Sequence, residues 1–220
     1  MISSAIKALG DLTSPEFRSI LWKSIGLAFL LFIGLFTGVQ ALFWFLTLVP
    51  WPWAETALAV GSGLALLVLF FFLMAPVTAI FAGLFLDRIA SLVERRHYPR
   101  ETPGTALPTA RALLVSLQFA GLVLLVNLFA LPLIFTGFGA IVLITLNAYL
   151  LSREYFEFAA MRFMHPDAAK QLRKENAGAV FSAGFLPAVL SLVPIVNLTV
   201  PLFATSYFVH LFKKLQASSV

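Results

Sequence analysis

Cysteine is absent from the 220-residue chain. That excludes a disulfide framework, a thiol nucleophile, thiolate-bound zinc and a cysteine-held iron–sulfur cluster. Charge is also scarce: 11% of residues are Asp, Glu, Lys or Arg, against roughly 25% in soluble domains. Too little polar surface remains to cover a soluble domain of this length, so the composition points to a membrane protein. No GxxxxGK[ST] loop occurs, which leaves the chain without a P-loop ATPase of its own. Gly61-Ser62-Gly63 lacks a third glycine at the dinucleotide spacing and sits in an apolar run. The N-terminus is not expected to be a cleavable signal, because the first apolar run, from about Ile25, continues well past the length of a signal core without a small-residue cleavage site.

What is present is apolar: 60% of residues are hydrophobic, and 23 of them are Phe. Six apolar stretches lie near Ser24–Val49, Thr56–Leu86, Ala112–Leu131, Leu133–Leu151, Gly178–Val193 and Leu198–Leu211. A hydrocarbon core of ~30 Å needs roughly 20 helical residues. The first two stretches exceed that, the middle two just reach it, and the last two fall short around Pro194 and Pro201. No Asp, Glu, Lys or Arg lies in 56–86, 112–152 or 176–212.

The basic residues fall into four patches: Lys7/Arg18/Lys23, Arg88 to Arg111, Arg153 to Lys174, and Lys213/Lys214. Between patches the chain makes three out-and-back excursions, so positive residues on one side place both termini in the cytoplasm. The expected class is an all-α integral membrane protein of three helical hairpins in one membrane domain. Its parts are an amphipathic interfacial segment 1–23, a long transmembrane hairpin 24–86, a cytosolic connection 87–111 and a second hairpin 112–152. An amphipathic cytosolic helix 153–177, a third hairpin 178–212 and a tail 213–220 complete it.

Ser14-Pro15-Glu16 reads as a helix start, with an N-cap, a proline at N1 and an acid in the first turn. Arg18 follows one turn inside. Free N–H groups, the positive end of the dipole and a guanidinium suit a tetrahedral oxyanion, sulfate or phosphate, at the membrane face. Glu16 partly fills the same positive potential. Gly34 and Gly38 form a GxxxG, and Ala75, Ala79 and Gly83 repeat small-residue spacing on the second stretch, which suits packing of these two helices. Gln40, Gln118, Asn127 and Asn147 are polar groups in apolar surroundings that need partners, within a helix bundle or along a polar pathway. His97, His165 and His210 are scattered, without HExxH, and are expected as surface or interfacial residues. No metal, cofactor or nucleic acid is expected, and no constellation supports an enzyme.

Several stretches resemble the CysZ-type sulfate permease family, the bacterial branch of the etoposide-induced-protein family. The resemblance rests on Asn147 to Glu157, Met161-Arg162, Leu172-Arg173 with Asn176 and Val180 to Gly184, Pro194 to Pro201, and Val209-His210-Leu211. The N-terminal Pro15-Glu16-Phe17-Arg18 is similar to that family's element before its first long helix. The resemblance implies two long spanning helices and two shorter, re-entrant hairpins. It also implies a homo-oligomer in the bacterial inner membrane that moves sulfate into the cytoplasm for sulfur assimilation and cysteine synthesis. The sulfate site it implies lies at the first helix start, here Ser14, Pro15 and Arg18, where the family's turn has a glycine and an asparagine that Leu12-Thr13-Ser14 lacks. Asn127, Asn147, Arg153 and Arg162 are candidates for the pathway or its exit. With no acidic residue in the uncharged stretches, a channel-like or gradient-driven permease is the first reading. A non-transporting scaffold or regulator of the same fold is the second.

Overall fold

The computed structural model describes residues 2–47, 85–106, 108–130, 132–133 and 138–218. Every regular element among them is a helix, as the sequence requires. In chain order these are α1 (Ile2–Leu12), α2 (Pro15–Thr47), α3 (85–97), α4 (Thr109–Ala130) and α5 (Gly139–Met161), then α6 (Pro166–Glu175), α7 (Ala177–Leu190), α8 (Pro194–Asn197) and α9 (Val200–Ser218). Among the described residues no helix is long and apolar enough to cross a membrane. Most of the second apolar stretch lies outside them, and with it Gly61-Ser62-Gly63 and the Ala75/Ala79/Gly83 spacing. The side chains of Gln40 and Asn127 also lie outside the described residues.

Local chemistry sets the helix ends. α2 begins at Pro15, and the Arg18 N–H donates to the Ser14 carbonyl at 3.0 Å. The Ser14 hydroxyl does not cap this helix but donates to the Asp11 carbonyl at 2.8 Å, closing the turn out of α1. The segment 153–177, expected as one helix, is divided. α5 runs without a break from the apolar stretch through Arg153 to Met161. Pro166 then restricts the residue before it, and His165 is extended with φ −63° and ψ 147°. The chain restarts as α6, with Asp167 in its first turn and Arg173 and Lys174 in its last, which complements the helix dipole.

The packed core lies at the charged end of the molecule. Phe17 and Ile20 of α2, Ile89 and Val93 of α3, Phe156 of α5, and Phe203, Phe208 and Phe212 of α9 are buried together. α5 packs on α7 so closely that the backbones touch: a Cβ added to Gly184 would sit 2.1 Å from the Ala148 carbonyl oxygen. α1 docks on α9 with its polar face inward. Ser4, Ala8 and Asp11 are buried, while Ile2, Ile6 and Leu9 are exposed at one-turn spacing. Away from the core the exposed surface is apolar, with Phe29, Leu30 and Trp44 on α2 and Leu114, Leu125 and Phe129 on α4.

One guanidinium joins α3 to the end of α5. The Arg162 side chain is fully buried; its Nε donates to Glu94 Oε1 at 2.8 Å, and it also pairs with Asp87. Its Nη2 donates to the Ser91 hydroxyl at 3.0 Å and the Gly104 carbonyl at 3.4 Å. The polar connection after α3 wraps around it: the Gly104 N–H donates to Glu94 Oε2 at 3.0 Å and the Thr105 N–H to the Arg162 carbonyl at 2.8 Å. A Cβ on Gly104 would meet Arg162 Cβ at 2.9 Å, so only glycine lets the loop approach this closely. Removing one partner of a buried pair leaves the other charge uncompensated, which costs about 3–5 kcal/mol. Arg162→Met should destabilise the protein by that amount in denaturant titrations in detergent, and Arg162→Met/Glu94→Gln should recover a large part of it. Equal stability of wild type and single variant would remove Arg162 from this role.

Candidate functional site

The start of α2 borders a cavity of about 640 Å³. One wall is Thr13, Ser14, Pro15, Glu16 and Phe17; the other is Leu92, Arg95 and Arg96 of α3. The first turn of a helix presents N–H groups without intrahelical partners and the positive end of the dipole. Arg95 and Arg96 line the same cavity, so it combines helix-end donors with two cationic side chains, the combination that suits sulfate or phosphate. The Arg95 Nε donates to the Ser91 carbonyl at 3.2 Å. The Arg96 side chain is half exposed, with Nη1 3.6 Å from Asp11 Oδ1. Glu16, on the same wall, opposes an anion.

The helix start named from the sequence borders this cavity, and the basic residues on its lining are Arg95 and Arg96. Ser14 and Pro15 line the cavity, but Arg18 is exposed and is not one of its lining groups. Arg95 and Arg96 take that place. Local sequence reasoning missed them because about eighty positions separate them from Ser14, and in sequence they belong to a basic patch that signals topology. The adjacent pair Arg95-Arg96 was the available signal, without an indication of what it would face.

Of the pathway candidates Asn127, Asn147, Arg153 and Arg162, the side chain of the first lies outside the described residues. The Asn147 amide donates to the Leu143 carbonyl of its own helix at 2.9 Å. Arg162 is committed to its buried carboxylates. Arg153 and Gln118 do meet, on a second cavity of about 510 Å³ that Glu154, Glu157, His165 and Lys170 also line. Burial first, and then the Glu157 charge, push the Glu154 carboxyl up to about 7, with Arg153 acting against them. Glu157 is bound by Arg173 Nε at 2.7 Å. Two carboxylates make this cavity a poorer host for an anion than the first.

Two of the three histidines, expected to be scattered at the surface, converge. His97 Nε2 lies 2.8 Å from Asp11 Oδ1 and His210 Nε2 lies 3.3 Å from Asp11 Oδ2. The Ser206 hydroxyl donates to Oδ2 at 2.6 Å. Both imidazoles donate to an ionised Asp11, which leaves Nδ1 of a neutral His210 to accept from the Tyr98 hydroxyl at 2.8 Å. His165 is exposed, and its Nδ1 accepts from the Asp167 N–H at the start of α6. Burial pushes the Asp11 carboxyl up, but hydrogen bonds from His210, Ser206 and His97 outweigh it and hold it down at about 2.

That shift carries a sign. A carboxyl whose folded-state pKa is about 2, against an ordinary 3.8, stabilises the fold fully above the higher value. The contribution, roughly 2 kcal/mol, disappears as pH falls from about 4 through 2. Unfolding free energy measured across that window should drop more in wild type than in Asp11→Asn, which starts lower and shows a flatter acid limb. Parallel profiles would contradict the assignment.

A family model described as "Sulfate transporter CysZ/Etoposide-induced protein 2.4" matches residues 4–201, most of the chain. No curated protein matches it.

Proposed function

Because this chain belongs to the sulfate transporter CysZ/etoposide-induced protein 2.4 family, we propose that it is a membrane permease for sulfate or a closely related oxyanion. The observation that carries the proposal is the cavity in which the start of α2 faces Arg95 and Arg96. In this reading the helix end and the two guanidiniums take the anion from its aqueous surroundings. Each charge-assisted hydrogen bond contributes about 1.5–3 kcal/mol.

Placement in a bilayer is part of the proposal. Its support is the exposed apolar surface of α2 and α4, together with the uncharged stretches 56–86, 112–152 and 176–212. Water disfavours contiguous apolar surface of this kind, whereas lipid does not. The outward row Ile2, Ile6 and Leu9 on α1 fits a helix lying in the interface. The four basic patches favour a cytoplasmic core with both termini inside. Bacterial inner-membrane location, homo-oligomerisation and supply of sulfate for cysteine synthesis are further parts of this proposal.

Energetics constrain the mechanism. Moving one charge against the membrane potential costs ~2.3 kcal/mol per 100 mV, so divalent sulfate faces roughly twice that. With no P-loop motif in the sequence, the drive comes from a concentration gradient, from a coupled ion or from consumption of sulfate inside. A channel-like, gradient-driven route is the simplest of these for uncharged helical stretches.

Radiolabelled sulfate uptake into proteoliposomes tests the proposal. Wild type should take up sulfate saturably, and Arg95→Ala/Arg96→Ala should reduce uptake at sub-saturating sulfate by roughly tenfold or more, the loss of one to two charge-assisted hydrogen bonds. Arg18→Ala should have the smaller effect. Monodisperse, folded protein without uptake above empty liposomes would overturn the transport reading in favour of a non-transporting scaffold. Unchanged uptake in the double variant would move the capture site elsewhere.

A further inference from the structure

Asp11, His97 and His210 stand on three different helices, α1, α3 and α9. One carboxylate oxygen and one ring nitrogen from each histidine lie within 4.8 Å of one another. The imidazoles meet edge to face, with centroids 4.7 Å apart. Asp11 and His210 side chains are 1% exposed and His97 23%. Two imidazoles and one carboxylate form a ligand set of borderline softness. It suits Zn²⁺ and its neighbours in the transition series, and fits poorly to Mg²⁺ or Ca²⁺, which take oxygen ligands.

We propose that Asp11, His97 and His210 are the protein ligands of a divalent transition-metal site, best suited to Zn²⁺, that ties α1 to α3 and α9. Zinc with ligands at about 2.0–2.1 Å places neighbouring ligand atoms roughly 3.3 Å apart in a tetrahedron. His210 Nε2 and Asp11 Oδ2 are already 3.3 Å apart, and the three ligand atoms, all within 4.8 Å of one another, need to close by at most about 1.5 Å to reach that spacing. Three protein ligands leave a fourth position for water.

The groups around the ligands act in the same direction. Tyr98 meets His210 at Nδ1, the ring nitrogen that does not face Asp11. When Nε2 binds metal, the imidazole stays neutral by carrying its proton on Nδ1 and donating it to the Tyr98 oxygen. A hydrogen bond of this kind fixes ring orientation and strengthens the ligand. Ser206 holds the carboxylate through Oδ2. Opposition comes from Arg96, 3.6 Å from Asp11 Oδ1, and from Lys7, whose Nζ lies 5.9 Å from the Tyr98 ring centroid. Arg96 is half exposed and faces the cavity at the start of α2, so it has room to turn away.

Calorimetric titration with Zn²⁺ alone tests the site on untagged, full-length protein in detergent, stripped with chelator. Wild type should bind about one Zn²⁺ per chain, with Mg²⁺ giving no signal. His97→Ala, chosen because His97 is the least buried ligand, should abolish that binding while eluting as folded protein. Tyr98→Phe should keep the stoichiometry and weaken affinity roughly 10- to 100-fold, as loss of an outer hydrogen bond does. Co²⁺ should give the intense visible absorption of a four-coordinate site in wild type and lose it in His97→Ala. Folded wild type without saturable Zn²⁺ binding would overturn the proposal, as would equal binding by wild type and His97→Ala.

Discussion

A buried guanidinium has to be surrounded by acceptors, and in this protein that requirement fixes where α3 lies. Desolvating a charge costs several kcal/mol, recovered only where geometry and further hydrogen bonds are good. Arg162 meets the condition with Asp87, Ser91 and Glu94 on three successive turns of α3, and with the Gly104 carbonyl from the following loop. No other position of α3 would satisfy all of these partners. Once α3 is placed, its far end follows. Arg95 and Arg96 border the start of α2, and His97 reaches Asp11. The proposed oxyanion cavity and the proposed metal site thus share one helix, held from behind by one arginine. Lys213 reinforces the same loop, with Nζ 2.7 Å from Glu101 and 3.8 Å above the Phe163 ring.

The charged end is dense and satisfied, whereas the rest of the described surface is apolar. Phe17, Phe156, Phe203, Phe208 and Phe212 fill the region beneath the ion pairs. Beyond it, large apolar side chains on α2 and α4 and at the tip beyond α7 are exposed. A water-soluble protein would bury such residues against a partner or against itself. Lipid relieves the same constraint, and backbone groups inside helices are already paired. The inverted docking of α1 fits this division: Asp11 turns inward to its donors, and isoleucines turn outward.

Much of this was legible in the sequence. The helical class, the start of α2 at Pro15 and the uncharged stretches follow from composition, the proline at the first helical position and charge placement. The helix start that the sequence offers as a candidate site borders a cavity, but the arginines lining that cavity could not be read from the sequence. Arg18 is near Ser14 in sequence but does not line the cavity, whereas Arg95 and Arg96 are distant in sequence and line it together with Ser14. Long-range pairing of this kind has no local signature. The same holds for Asp11 with His97 and His210, which sit in three different segments. The break after Met161 could have been read from Pro166 alone, since a residue before proline leaves the helical region. The continuity of α5 across Ser152 and Arg153 could not, because a change from apolar to charged residues ends an apolar stretch without ending a helix.

The central claim is a location: an oxyanion held between the start of α2 and the end of α3. Selenate matches sulfate in charge and shape and carries an anomalous scatterer, so diffraction from crystals grown with selenate tests the location directly. The account predicts a peak in the cavity bounded by Thr13 to Phe17 and by Arg95 and Arg96, lost in the Arg95→Ala/Arg96→Ala variant. A selenate peak beside Arg18, or beside Arg153 in the second cavity, would contradict it.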